Sequence, residues 1–145
     1  MEFKIIDAKT GEDEIFTNDE VASFLYDHLE QYGDAKEDIL KCIDYVYMKG
    51  GFITVGHEGG VIKGAVIINE TGMSGYIPEN ILVYIAVDRS TRGKGYGKKL
   101  MTKVIDRAEG DIALHVEPDN PAKFLYENIG FSNKYLEMRY KKNPV

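Results

Sequence analysis

The sequence predicts an α/β fold built on a mixed sheet, with antiparallel strands first and a β-α-β unit later. Three observations carry that expectation. Apolar residues recur at helical spacing in two early segments, glycine-punctuated β-branched runs follow them, and the nearly continuous apolar stretch Ile81 to Val87 runs into a glycine-rich turn and a further helical stripe. At 145 residues the chain fits one domain, 1–145. Its 43% apolar and 11% aromatic residues are enough to fill a core at that length.

Taken in order, residues 3–8 (FKIIDA) read as a short strand, and Thr17, Asn18 or Asp19 caps a helix whose Val21, Phe24, Leu25 and Leu29 share one side. A second helix starts near Asp34, carries Ile39, Cys42, Ile43, Val46 and Tyr47 on one side, and stops at Gly50-Gly51. Phe52 to Val55 and Val61 to Ile68 form a hairpin through Gly59-Gly60. Thr71 to Gly75 then breaks the chain before the Ile81 to Val87 strand. A helix from Gly95 to Glu109, a strand from Asp111 to Glu117, a helix from Asn120 to Asn128 and a strand from Phe131 to Lys142 complete the reading.

Charge narrows the function. Eighteen Lys and Arg against 24 Asp and Glu give a net charge of −6, which argues against nucleic acid or an anionic membrane as partner. The single cysteine, Cys42, offers neither a disulfide nor a zinc-ligand pair, so no metal is expected. With no signal peptide and no apolar run long enough to span a bilayer, the expected location is cytoplasmic. The charge is also unevenly spread. Asp7 to Asp38 holds eleven acids and two bases, Lys9 and Lys36, whereas Arg89 to Arg107 holds seven bases and one acid, Asp106.

Glycines interrupt that basic run in Arg92-Gly93-Lys94-Gly95-Tyr96-Gly97-Lys98, between a buried strand and a helix with Leu100, Met101, Val104, Ile105 and Ala108 as its apolar stripe. Without side chains at 93, 95 and 97, backbone amides can approach a ligand, and a helix N-terminus with nearby cations favours a diphosphate. The spacing is neither GxxxxGK[ST] nor GxGxxG followed by an acid.

The R-x-x-G-x-G pattern of Arg92 to Gly97 after an apolar strand resembles the GCN5-related N-acetyltransferase (GNAT) family. A second block, Leu114-His-Val-Glu-Pro-Asp-Asn120-Pro-Ala-Lys-Phe-Leu-Tyr126-Glu-Asn-Ile-Gly130-Phe131, is similar to that family's strand, asparagine, helix, tyrosine and closing Gly-Phe. The resemblance implies a central mixed sheet with helices on both faces and acetyl-CoA as donor to a primary amine. It places Arg92, Gly93, Lys94, Gly95, Tyr96, Gly97 and Lys98 on the pyrophosphate, backbone near Ile85, Ala86 and Val87 on pantetheine and the thioester carbonyl, and Asn120 on the pantetheine chain. Strict family spacing offers Asp119 in place of Asn120.

By the same resemblance Tyr126 protonates the CoA thiolate, a role that suits a phenol protonated at neutral pH. The strand face expected to hold a base, 81/83/85, carries Ile81, Val83 and Ile85, none of which takes a proton. His115 matches the position of a glutamate in members that acetylate protein N-termini, with Glu117, Glu79 and Glu70 as further candidates. His28 and His57 read as surface residues. The first two helices and the acidic connection Asp27 to Asp34, with Glu37 and Asp38, would wall an acceptor site suited to a cationic amine. Polyamine, aminoglycoside, amino acid, lysine side chain and peptide N-terminus all fit, and a homodimer is compatible. The missing base also admits a CoA-binding sensor with little turnover.

Overall fold

The computed structural model describes residues 1–143. It divides into two compact units, Met1–Leu114 and His115–Val145, the second described as far as residue 143. The first unit is a five-stranded sheet in the order β1-β2-β3-β4-β5: β1 Glu2–Ile6, β2 Gly51–Glu58, β3 Val61–Glu70, β4 Asn80–Val87 and β5 Ile112–Leu114. The first four strands pair antiparallel, and β5 joins β4 in parallel after the crossover through a helix. Among the described residues no helix is long and apolar enough to cross a membrane.

Strand alternation sorts the core into two sides. Ile53, Val55, Ala65, Ile67, Tyr84 and Ala86 join the buried residues of α1 (Asn18–Leu29) and α2 (Lys36–Met48), namely Val21, Ala22, Phe24, Leu25, Ile39, Cys42, Ile43 and Val46. The intervening positions, Phe52, Thr54, Val66 and Ile68, face the other way. There α3 (Tyr96–Arg107) covers the sheet with Leu100, Met101 and Val104, which are wholly buried. Helices therefore lie on both faces, as expected. Thr17 starts α1 by accepting a hydrogen bond from the Glu20 amide at 3.2 Å, a cap worth about 1 kcal/mol.

One irregularity governs the site. Ile67 pairs with Tyr84 but Ile68 pairs with Leu82, so Val83 is an extra residue, a β-bulge in β4. Cross-strand partners share a face, which puts Ile81 and Tyr84 on the α1/α2 side and Leu82 and Ile85 on the α3 side. The single 81/83/85 face expected from strict alternation is thus broken at Val83.

The second unit departs further from expectation. The strand foreseen from Asp111 to Glu117 ends at Leu114, and the helix foreseen from Asn120 is α4, Ala122–Asn128. Residues 131–142 take no strand assignment. Their alternating pattern is compatible with a strand, but a strand exists only when its amides find a partner ladder. Tyr135, Leu136, Met138 and Tyr140 are accordingly exposed at 79–90%.

Candidate active site

The loop after β4 is held by its own hydrogen bonds. Asp88 accepts from the Ser90 amide at 2.9 Å and its hydroxyl at 2.6 Å, and its carbonyl accepts from the Thr91 amide and hydroxyl, both at 2.9 Å. Those Ser90 contacts keep the Asp88 carboxyl below the ordinary range. The chain then reaches Gly93 at φ +85° and Gly95 at φ +78°, and Gly95 is the N-cap of α3. No side chain caps this helix. The amides of Tyr96, Gly97 and Lys98 therefore lack intrahelical partners and sit at the positive end of the helix dipole. At Gly93 and Gly95 an added Cβ would meet nothing within 4 Å, so both glycines border open space. Tyr96 turns its hydroxyl to Glu58 at 2.8 Å. Lys94 and Lys98, both exposed, form no ion pair among the described residues. The arrangement fits a pyrophosphate.

Arg92 reaches across to the α1–α2 connection. Its guanidinium bonds Glu30 Oε1 at 3.1 Å and the His28 carbonyl at 2.8 Å. Arg89 bonds the same Glu30 oxygen at 3.3 Å and the Asp27 carbonyl. Two arginines thus hold the end of α1, where helix carbonyls lack partners and the dipole favours cations, and their contacts keep the Glu30 carboxyl low. The start of the glycine loop is anchored to the α1–α2 connection. Glu30 itself has φ +57°, the one positive value outside glycine among the described residues.

His28 belongs to this joint and is not a surface residue. Its side chain is 12% exposed, its ring packs on Phe24 at 4.5 Å, and its Nδ1 accepts from the Arg89 amide at 3.3 Å. Burial is the leading cause that lowers its pKa below 6.5, with Asp88 opposing at 3.8 Å. The unfolded chain then binds this proton more readily, so stability drops as the pH falls below 6.5. The midpoint of thermal unfolding should fall between pH 7 and pH 5.5 in the wild type and fall less in His28→Gln. Equal slopes would remove His28 from the acid response. His57 is likewise half-buried, stacked on Phe16 at 4.7 Å.

Beyond its pairing with β5, the edge of β4 carries backbone groups outside the β3 ladder. Asp88 donates its amide to the Lys63 carbonyl at 2.8 Å, which fixes the ladder's phase. Tyr84 and Ala86 direct their backbone groups toward β3, while Ile85 and Val87 direct theirs to the opposite edge. Pairing with β5 stops at Leu82↔Leu114. Of the three expected backbone contacts, Ile85 and Val87 therefore have outward amides and carbonyls, and Ala86 is spent in the β3 ladder.

Glu70 and Glu79 lie at the other end of β4, roughly 23 Å of strand from Val87. Glu79 accepts from the Asp111 amide at 2.9 Å, which lowers its carboxyl and makes it a poor base. In the second unit His115 is exposed and follows β5 directly. Asn120 accepts from the Ala122 amide at 2.9 Å, an Asx turn that leads into α4. Tyr126 is buried against Phe131, with ring centres 6.0 Å apart, and burial pushes its phenol up to about 12.

Sequence reasoning missed a pair in the first unit. Tyr84, 8% exposed, donates its hydroxyl to Asp34 Oδ2 across fifty residues of chain. Beside it, Cys42 and Asn69 join side chain to side chain at 3.4 Å, and burial pushes the Cys42 thiol up to about 12, which leaves it unreactive.

In the first unit the fourth strand of the mixed sheet bulges, frees an edge beyond Leu82 and feeds a glycine-capped helix. The chain belongs to the acetyltransferase (GNAT) family, whose model matches residues 14–131. It is 33% identical over 90 residues to the N-alpha-acetyltransferase RimI of Mycobacterium tuberculosis, covering 58% of this chain and 57% of that protein. It is also 33% identical over 72 residues to the [ribosomal protein bS18]-alanine N-acetyltransferase of Haemophilus influenzae, covering 47% and 49%. The match spans about half the length of these curated relatives. Among solved structures, the aminoglycoside N-acetyltransferase AAC(6')-Iy in complex with CoA superposes with a TM-score of 0.69 at 16% identity, covering 97% of this chain and 93% of that one.

Proposed function

We propose that the chain transfers the acetyl group of acetyl-CoA to a cationic primary amine by direct attack in a ternary complex. The observation that carries the reading is the pair of adjoining surfaces in the first unit: open amides at the α3 N-terminus and the outward backbone of Ile85 and Val87. The first suits a pyrophosphate, with Lys94 and Lys98 as its cations. The second suits an extended amide chain, which would add to the strand edge as another strand does. Gly93, Gly95, Tyr96 and Gly97 shape the turn, and Arg92 holds it against Glu30.

Tyr126 as the acid that protonates the leaving thiolate, His115 as the base that takes the ammonium proton, and Asn120 on pantetheine rest on their places in the family motif. A phenol near 12 is protonated at neutral pH, the state from which an acid must start, although burial makes it a weaker acid than free tyrosine. The acidic α1–α2 connection supports a cationic acceptor.

The test is a panel of amines scored by CoA release and product mass, alongside calorimetry with CoA. Binding of CoA with a rise in melting temperature is expected, because a ligand specific to the native state stabilises it. Absence of binding at millimolar CoA would overturn the donor assignment. Binding without release across the panel would favour a CoA-binding sensor.

A further inference from the structure

Resting on the acetyltransferase reading, we propose that Asp34, oriented by Tyr84, binds a second, non-reacting ammonium of the acceptor, so that the substrates are amines with at least two cationic groups.

Position is the first argument. Tyr84 directly follows the bulged Val83 and precedes Ile85, whose backbone faces the open edge, so the Tyr84–Asp34 pair sits where β4 parts from β5. An acceptor approaching a thioester laid along that edge arrives beside the pair. Tyr84 points to the α1/α2 side, the side of the connection that contains Asp34.

Charge is the second. In and beside the connection, Glu30 is neutralised by Arg89 and Arg92, Asp38 pairs with Lys41 at 3.6 Å and Asp19 with Lys36 at 2.7 Å. Asp34, like Asp27 and Glu37, pairs with no cation among the described residues, and it differs from those two in meeting an uncharged, buried phenol that orients it. It is exposed while its anchor is buried. Burial first, and the Asp34 contact second, raise the Tyr84 pKa, so the phenol remains a donor. The hydrogen bond occupies Oδ2 and fixes the carboxylate's direction, and Oδ1 can accept a ligand's N–H.

Chemistry is the third. The attacking nitrogen must be neutral, whereas a carboxylate binds an ammonium without deprotonating it. One nitrogen cannot satisfy both demands. An acceptor with two amines can, one neutral at the thioester and one charged at Asp34.

The test compares putrescine with n-butylamine, which has the same four-carbon chain and a single amine, by calorimetry on the protein saturated with CoA. Putrescine should bind roughly tenfold more tightly. Asp34→Asn, which keeps an acceptor for Tyr84, should erase that preference by weakening putrescine alone, with CoA affinity and melting temperature retained. Tyr84→Phe should lower the preference partway. No preference in the wild type, or a preference that survives Asp34→Asn, overturns the proposal. CoA release with either amine is scored separately. Turnover without diamine selectivity would sink this inference and leave acetyl transfer standing, while selective binding without turnover would do the reverse.

Discussion

Gly95→Val should lower CoA affinity by at least about 10²-fold. Gly95 sits at φ +78° as the N-cap of α3, a region in which a β-branched residue is a strong outlier. If the variant relaxes, the turn reorients and the amides of Tyr96 to Lys98 no longer converge. If the backbone is held, the valine methyls project into the open space beside Gly95, where no atom now lies within 4 Å of the Cβ position, and narrow a phosphate's approach to the loop. Both routes remove charge-assisted hydrogen bonds to phosphate, each worth roughly 1.5–3 kcal/mol, so losing two gives a 10²-fold effect or more. Calorimetry with CoA reads the outcome. Gly95→Ala should fall between, because it carries the backbone penalty with less bulk. Wild-type affinity in the valine variant would reduce the loop to a turn.

Tyr126→Phe should cut turnover by about 10²-fold with acetyl-CoA affinity little changed, the scale of a lost general acid. The substitution keeps the ring that packs on Phe131, so the hydroxyl is isolated as the variable. A phenol near 12 is in its neutral form throughout the physiological range. Ionisation of Tyr126 should therefore contribute no falling limb to kcat below about pH 11, and a basic limb near pH 9 to 10 would have to come from another group. Single-turnover thiol release makes chemistry the observed step. Unaltered release in the Phe variant would assign Tyr126 to packing alone.

Much of the first unit was legible because its signals are local. The Thr17 cap, the stripes of α1 and α2, the Gly59-Gly60 hairpin and the glycine loop each occupy a few consecutive residues, and all are found. What escaped depends on partners far away in the chain. Period-two reasoning cannot foresee one extra residue in β4, because the bulge at Val83 is defined by its register against Ile67 and Ile68. Arg92 meets Glu30, 62 residues earlier in the chain, a partner that no local pattern could foresee. His28 looked exposed on a short helix until Arg89 and Asp88 closed over it. The alternation of residues 131–142 is a compatible pattern without a ladder to receive it. Asp34 was read only as part of a diffuse acidic rim, and its distinction lies in the tyrosine that aims it.

The joint between Glu30 and its two arginines limits how this domain can diversify. The α1–α2 connection, proposed above to face the acceptor, also fastens the first residues of the glycine loop. A transplanted connection lacking an acid at position 30 would leave Arg89 and Arg92 facing helix carbonyls alone, and one bringing lysine would set three cations together. On that proposal, a change at position 30 that alters the acceptor wall also disturbs the start of the glycine loop, whereas a change at Asp34, outside that clasp, leaves the loop's anchor in place.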